Sequence, residues 1–196
     1  MIDTGRVEAI VIGGSAGAFS ALRVLVPALP PALAVPVLVV IHLPPDRPSA
    51  IAEVFQHDGL RRVKEADDKE PLVAGTVYFA PPAYHLLIET DRTLSLSADD
   101  PVHHSRPSID VLFESAADAF GGGLLAVVLS GANEDGARGL KAVVDAGGQA
   151  IVQDPADAEH PLMPTAALRA TAANAVLPVD AIAAMFATLN QGHHHA

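Results

Sequence analysis

A three-layer α/β/α fold with a mostly parallel sheet follows from three features of the sequence. Short apolar runs without polar alternation recur, at residues 7–12, 35–41 and 124–130. Each leads into a segment with helical periodicity. Strands that are apolar on both sides and that each precede a helix belong to a parallel sheet covered on both faces. The chain has 196 residues, 50% apolar but only 4% aromatic, so the core must be made mainly of Ala, Val, Leu and Ile. No low-complexity linker or internal repeat interrupts the pattern, and one domain over residues 1–190 is expected.

In chain order, residues 7–12 (VEAIVI) read as a buried strand broken by Gly13-Gly14, and residues 17–29 as a helix stopped by Pro30-Pro31. Residues 35–41 (VPVLVVI) form the second buried strand, and residues 48–56 can form a helix. Residues 60–97 differ. Their short alternating runs (TVYFA, HLLIE, LSLS), separated by Pro, Asp and Gly, predict an insertion of antiparallel hairpins. Alternation then resumes: helix 109–120, strand 124–130, helix 135–146, strand 150–153, helix 165–173, short strand 175–177 and a last helix, 181–189. The tail 191–196 (QGHHHA) reads as a tag remnant, and its histidines are set aside.

Charge excludes several functions. With 12 Lys+Arg against 23 Asp+Glu the formal net charge is −11, which leaves no basic patch to neutralise nucleic-acid phosphates or an anionic membrane. The absence of Cys removes disulfide and thiolate chemistry. The start, MIDTGRVEAI, lacks the features of a signal peptide, and no apolar run approaches the roughly 18 residues that span a bilayer. A cytoplasmic protein without membrane insertion is expected. The sequence is silent on oligomeric state.

Open α/β sheets bind ligands beyond the carboxyl ends of their strands. Gly13-Gly14-Ser15 follows the first strand, His42 the second, Gly131-Ala132-Asn133-Glu134-Asp135 the third long one, and Asp154 the next. A serine, a histidine and a carboxylate on one sheet edge are the parts of a serine hydrolase. The hydroxyl needs a neutral imidazole to take its proton, and the imidazole needs a carboxylate to fix its tautomer. A helix start after Ser15 supplies backbone N–H groups for an oxyanion, and Ala16 and Gly17 are small enough to admit substrate. Each residue also has an ordinary reading: Ser15 and Asp135 as helix caps, His42 as a strand-end histidine held by a carbonyl, Asp154 as a turn residue. The residues alone leave Asp135 and Asp154 as alternatives. Chain order Ser…His…Asp and the pentapeptide GSAGA depart from the α/β-hydrolase pattern. A dinucleotide site fits poorly, since Ser15 replaces a required Gly and His42 ends the second strand where an acid would stand. No Walker A or H-E-x-x-H motif occurs, and adjacent His103-His104 make a poor metal pair. No cofactor and no metal are expected.

Four segments resemble the catalytic domain of the CheB family of chemotaxis receptor protein-glutamate methylesterases. They are IGGSAGAFSAL, like the family's G-x-S-x-G-G-x-x-A-L; VVIHLPP, like its Q-H-M-P-P type segment; PVHHSRPSIDVLF, like R-P-S-V-D-x-L-F; and VVLSGANEDGARGL, like L-T-G-M-G-x-D-G-x-x-G. The match runs from about Val7 to Leu189. The resemblance implies a serine esterase that hydrolyses glutamate γ-methyl esters on the methylated cytoplasmic region of a chemoreceptor-like protein, releasing methanol, with glutamine deamidation as a second activity. It implies Ser15 as nucleophile, His42 as general base and Asp135 as the carboxylate that orients it. It places Ala16, Ala132 and Arg106 at the oxyanion and substrate positions, Arg106 with an ion pair to Asp110 as its structural alternative, and His85 beside the cleft. Two departures stand out: the family's Met-Gly is Ala132-Asn133 here, and no receiver domain fits before Val7. A stand-alone catalytic domain is therefore expected, with a catalytically weak interaction module as the alternative.

Overall fold

The structure, a computed structural model, describes residues 2–42, 51–56 and 62–189. Seven strands form one sheet in the order β3-β4-β2-β1-β7-β8-β9: β1 (Ala9–Gly14), β2 (Val37–Ile41), β3 (Arg62–Glu65), β4 (Thr76–Phe79), β7 (Leu124–Val128), β8 (Gln149–Gln153) and β9 (Ala175–Leu177). Every neighbouring pair is parallel. The remaining strands, β5 (His85–Ile88) and β6 (Leu94–Ser97), form a separate antiparallel hairpin.

Alternate residues of each central strand enter different cores. Ala9 and Val11 join one core with helices α3 (Ile109–Phe120), α4 (Ala137–Asp145) and α5 (Leu162–Ala170) and the β5-β6 hairpin. Ile10 and Ile12 join the other with α1 (Ala18–Ala28), α2 (Ile51–Phe55) and α6 (Val179–Phe186). Three layers result, as the unbroken apolar strands require.

Several boundaries differ from the sequence expectation. Only β5-β6 of the 60–97 region is an antiparallel hairpin; β3 and β4 extend the parallel sheet. The run TVYFA, read as alternating, contains β4, which lies between β3 and β2 and is buried at all four positions. Gly13-Gly14 do not break the first strand but complete it, paired with Val40 and Ile41 of β2. A Cβ on Gly13 would stand 2.2 Å from Ile109 Cγ2, so that glycine admits the start of α3 rather than turning the chain. Helix α5 begins three residues earlier than expected because Pro164 falls in its first turn, where no intrahelical N–H is required. The expected helical residues 48–50 and the tail 191–196 lie outside the described residues.

Candidate active site

The chain runs from β1 to β2, on to the edge strand β3 and back to β4 between β3 and β2, then returns by the β5-β6 hairpin and α3 to β7 on the other side of β1. The crevice at this reversal lies beyond the carboxyl ends of β2, β1 and β7. Ser15 and His42 follow the paired residues Gly14 and Ile41, and the His42 N–H donates to the Gly14 carbonyl at 3.2 Å. On the other side the Ser15 N–H donates to the Ser130 carbonyl at 2.9 Å. Ser15 thus sits between the ends of β2 and β7. Its hydroxyl does not cap α1, whose N-cap is Gly17 without a side-chain cap.

His42 Nε2 lies 2.8 Å from Asp135 Oδ2. A carboxylate accepts, so Nε2 carries the hydrogen, and in the neutral ring the lone pair is on Nδ1. The Ser105 hydroxyl stands at Nδ1, at a long 3.3 Å. No hydrogen bond joins Ser15 Oγ to His42 among the described residues. The structure brings His42 and Asp135 together and leaves the link to Ser15 open.

Asp135 is fully buried. Besides His42, its Oδ2 accepts the Ile109 N–H at 2.7 Å, while Oδ1 accepts the Ser108 hydroxyl at 2.8 Å and the Asp110 N–H at 3.0 Å. Burial alone would raise its pKa. The hydrogen bonds from His42, the Asp110 and Ile109 N–H groups and Ser108 outweigh that and hold it below the usual value. Asp135 therefore does cap a helix, but it caps α3 across the fold rather than its own α4. Asp110 returns the arrangement: its Oδ1 accepts the N–H groups of Gly136 and Gly139 at the start of α4. Burial raises the Asp110 pKa; the Gly139 N–H lowers it, nearby Asp135 raises it further, and Arg138 and His103 oppose that.

A two-residue hairpin turn covers this pair. Val102 and Ser105 exchange backbone hydrogen bonds, and His103 and His104 between them have φ of 49° and 62°. Both central residues of such a turn need positive φ, which His adopts at a cost. His103 Nε2 comes within 3.3 Å of Asp110 Oδ2. His103, Asp110 and Asp135 together offer ligand-type atoms within 4.8 Å of one another. They do not suit a cation: both Asp135 oxygens already accept two donors each, and the Arg138 guanidinium stands 3.8 Å from Asp110.

Comparison with known proteins gives the family. The family model described as CheB methylesterase matches residues 10–186. The chain belongs to the CheB methylesterase family. A Leptospira interrogans relative is 45% identical over 186 residues, which is 95% of this chain and 96% of that protein. Relatives from Symbiobacterium thermophilum and Nocardioides, both named protein-glutamate methylesterase/protein-glutamine glutaminase, are 37% and 40% identical over 89% and 87% of this chain. The chain spans about half the length of those two, 48% and 47%. The crystal structure of the Thermotoga maritima CheB methylesterase catalytic domain superposes with a TM-score of 0.88 at 30% identity, covering 93% of this chain and 98% of that one. Family membership sets the class of chemistry as hydrolysis.

Within this CheB-type domain, the other residues singled out by sequence separate. Arg106 lines a cleft of about 260 Å³ with His42, His104 and Ser105. Its guanidinium donates through Nη1 to the carbonyls of Ala98 and Asp99 at 2.7 and 2.9 Å. The ion pairs of Asp110 are with His103 and Arg138, not with Arg106. Ala132 is exposed and lines a different, larger groove with His160, Leu162 and Arg169. Ala16 occupies the turn after Ser15, with its carbonyl bound by Ser130. Asn133 accepts the Asp135 N–H through Oδ1 at 3.2 Å and shapes the loop that carries Asp135. His85 is buried rather than beside the cleft: it accepts the Ser108 N–H at Nδ1, 3.1 Å away, and faces the Asp100 carbonyl through Nε2. Asp154 accepts the Ala156 N–H two residues on, as a turn residue does. Sequence reasoning did not single out Ser105, Ser108 or Ser130. All three lie inside the quoted segments; Ser108 matches the serine of R-P-S-V-D and Ser130 stands where L-T-G-M-G has Thr, while Ser105 matches no pattern position.

Proposed function

We propose that this domain hydrolyses glutamate γ-methyl esters on the methylated cytoplasmic region of a chemoreceptor-like protein, with Ser15 as nucleophile, His42 as base and Asp135 as the base's orienting anion. The single observation that carries the residue roles is the hydrogen bond of 2.8 Å between His42 Nε2 and fully buried Asp135, on the same sheet edge as the uncapped Ser15. Asp135 keeps the hydrogen on Nε2, so Nδ1 is the nitrogen that takes the proton. Ser15 Oγ attacks the ester carbonyl carbon as its proton passes to Nδ1, and the carbonyl electrons move to oxygen. Collapse of the tetrahedral adduct breaks the bond to methoxide, which leaves as methanol with the Nδ1 proton. Water, giving a proton to the same nitrogen, then attacks the acyl-enzyme; collapse of that adduct breaks the bond to Ser15 Oγ, which takes the Nδ1 proton back, and the glutamate product leaves and ionises to the carboxylate. With a glutamine side chain the first leaving group is ammonia. Productive attack requires Ser15 to replace Ser105 at Nδ1, and the length of that bond, 3.3 Å, makes the exchange easy.

A cytoplasmic location belongs to this proposal. No described helix is long and apolar enough to cross a membrane. A second reading, an interaction module with little activity, draws on the open link between Ser15 and His42. One experiment decides between them: methanol release from a methylated receptor fragment by the wild-type protein and by Ser15→Ala. The expected result is a loss of several orders of magnitude in the variant. Equal release by both proteins removes Ser15 from the mechanism, and no release by either favours the interaction module.

A further inference from the structure

Ser130 is 1% exposed and sits at the end of β7, off the catalytic triplet, yet it holds the turn that follows Ser15 at two bonded points. Its carbonyl accepts the Ser15 N–H at 2.9 Å. Its hydroxyl donates to the Ala16 carbonyl at 2.7 Å. That hydroxyl is itself fixed, because it accepts the His160 N–H at 2.9 Å. The Ser130 N–H is bound too, to Gln153 Oε1 at 2.8 Å, and Gln153 is anchored by Asp157. A third constraint is steric. Gly17 has φ of 80°, and a Cβ there would lie 2.7 Å from Ser130 Oγ. The close approach of the turn to Ser130 therefore requires glycine at position 17.

This clamp has a consequence at the reacting centre. In a planar trans peptide the carbonyl of one residue and the N–H of the next point in opposite directions. Drawing the Ala16 carbonyl onto Ser130 therefore turns the Gly17 N–H away from Ser130. Ala18 N–H is used by the Ser15 carbonyl, at 3.0 Å, but the Ala16 and Gly17 N–H groups have no hydrogen-bond partner among the described residues. A donor held in advance, at the start of a helix and two residues from the nucleophile, is what a developing oxyanion requires.

We propose that Ser130 is a positioning residue for catalysis: its hydroxyl sets the Ala16–Gly17 peptide so that the Gly17 N–H donates to the oxyanion formed when Ser15 attacks. The proposal rests on the reading of Ser15 as nucleophile. It adds a donor, Gly17, to the Ala16 and Ala132 positions implied by the family resemblance, and gives the device that aims it.

The test measures kcat and KM for methanol release by wild type, Ser130→Ala, Ser130→Thr and Ser130→Cys, with the folded fraction of each fixed by thermal melting. Loss of an oxyanion donor costs about 100- to 1,000-fold in kcat, and loss of its alignment should cost at least about tenfold. Ser130→Ala is expected to lose that much in kcat with KM within about threefold, and Ser130→Thr, which keeps the hydroxyl, to recover most of it. If Ser130→Ala does not fold, Ser130→Cys, with its weak donor, should show the same kcat-selective loss to a smaller degree. A folded variant with unchanged kcat, or with the whole change in KM, overturns the proposal. Ser15→Ala, run beside them, separates the two claims: activity in that variant defeats the nucleophile, whereas an inactive Ser15→Ala beside a fully active Ser130→Ala defeats only the clamp.

Discussion

Asp135 and Asp110 are both fully buried, each caps the other's helix, and their pKa values move in opposite directions. Asp135 has two donors on each oxygen, one of them His42. Asp110 has two N–H donors on Oδ1, while its buried Oδ2 has no hydrogen-bond partner. Burial penalises both anions, so the donors and the neighbouring charges decide the sign: His42 is the largest lowering influence on Asp135, whereas Asp135 itself raises Asp110 further. One site is built to keep a charge, and the other tolerates one. Both face a histidine ring, but His42 hydrogen-bonds Asp135 at 2.8 Å, whereas His103 stands 3.3 Å from Asp110 Oδ2 as an ion-pair contact without a hydrogen bond.

Neutralising each carboxylate in turn is the strongest test of that contrast. Asp135→Asn removes the anion that fixes the His42 tautomer and puts an amide where four donors converge. If Asp135 orients the base as proposed, activity should fall on the order of 10,000-fold, the loss typical of a triad carboxylate, and stability by about 2–4 kcal/mol. Asp110→Asn keeps an acceptor for Gly136 and Gly139 and removes a charge its surroundings disfavour. Its activity should stay within tenfold of wild type, and its melting temperature at neutral pH should not fall. A large stability loss in Asp110→Asn would show that the pairs with His103 and Arg138 outweigh burial.

The pH dependence separates the two groups further. Asp135 titrates below the usual 3.8, so its ionisation adds stability well above pH 3.8, and that contribution is lost as pH falls through its folded value. Asp110 titrates above 3.8, so its contribution is present below pH 3.8 and is lost as pH rises through its folded value. Denaturation measured from pH 3 to 8 should show the advantage of Asp110→Asn over wild type growing above about pH 4. The deficit of Asp135→Asn should shrink below it. Parallel curves for both variants would contradict the opposed directions.

Ser108→Ala should act in the same direction as Asp135→Asn with a smaller effect. Ser108 is the N-cap residue of α3, but its hydroxyl makes no cap bond and donates to Asp135 instead. Removing it deletes one of four donors, for about 1 kcal/mol and a several-fold loss of activity. A loss of stability with unchanged activity would assign the hydroxyl to the fold alone.

Much of this was legible in the sequence. Continuous apolar strands announced the parallel sheet, and the residues after them announced the edge on which Ser15, His42 and Asp135 stand. The reciprocal caps were not legible, because Asp110 and Asp135 each serve a helix in which they do not lie. Local pattern assigns an aspartate before a helix to that helix, and here Gly139 lets α3 and α4 approach closely enough to exchange them: a Cβ there would meet Phe113 Cβ at 2.6 Å. His85 failed for a similar reason. A histidine in an alternating strand shows its spacing but not that both ring nitrogens meet backbone groups.

The smallest expected effect concerns Arg138, the cation nearest Asp110 besides His103. Its side chain is 59% exposed and pairs with Glu114 as well as standing 3.8 Å from Asp110 Oδ2. An exposed pair of this kind contributes about 0.2–1 kcal/mol, less in salt. Arg138→Ala should therefore lower stability by no more than that, with activity unchanged. Part of the loss belongs to Glu114 and part to Asp110, and a double-mutant cycle with Asp110→Asn divides them. If Asp110 bears its charge chiefly through the two backbone N–H groups on Oδ1, the coupling between the two substitutions will be under about 0.5 kcal/mol. A coupling well above 1 kcal/mol would mean that the guanidinium, across 3.8 Å, does for Asp110 what His42 does for Asp135, and the asymmetry between the two carboxylates would be one of distance rather than of donor number.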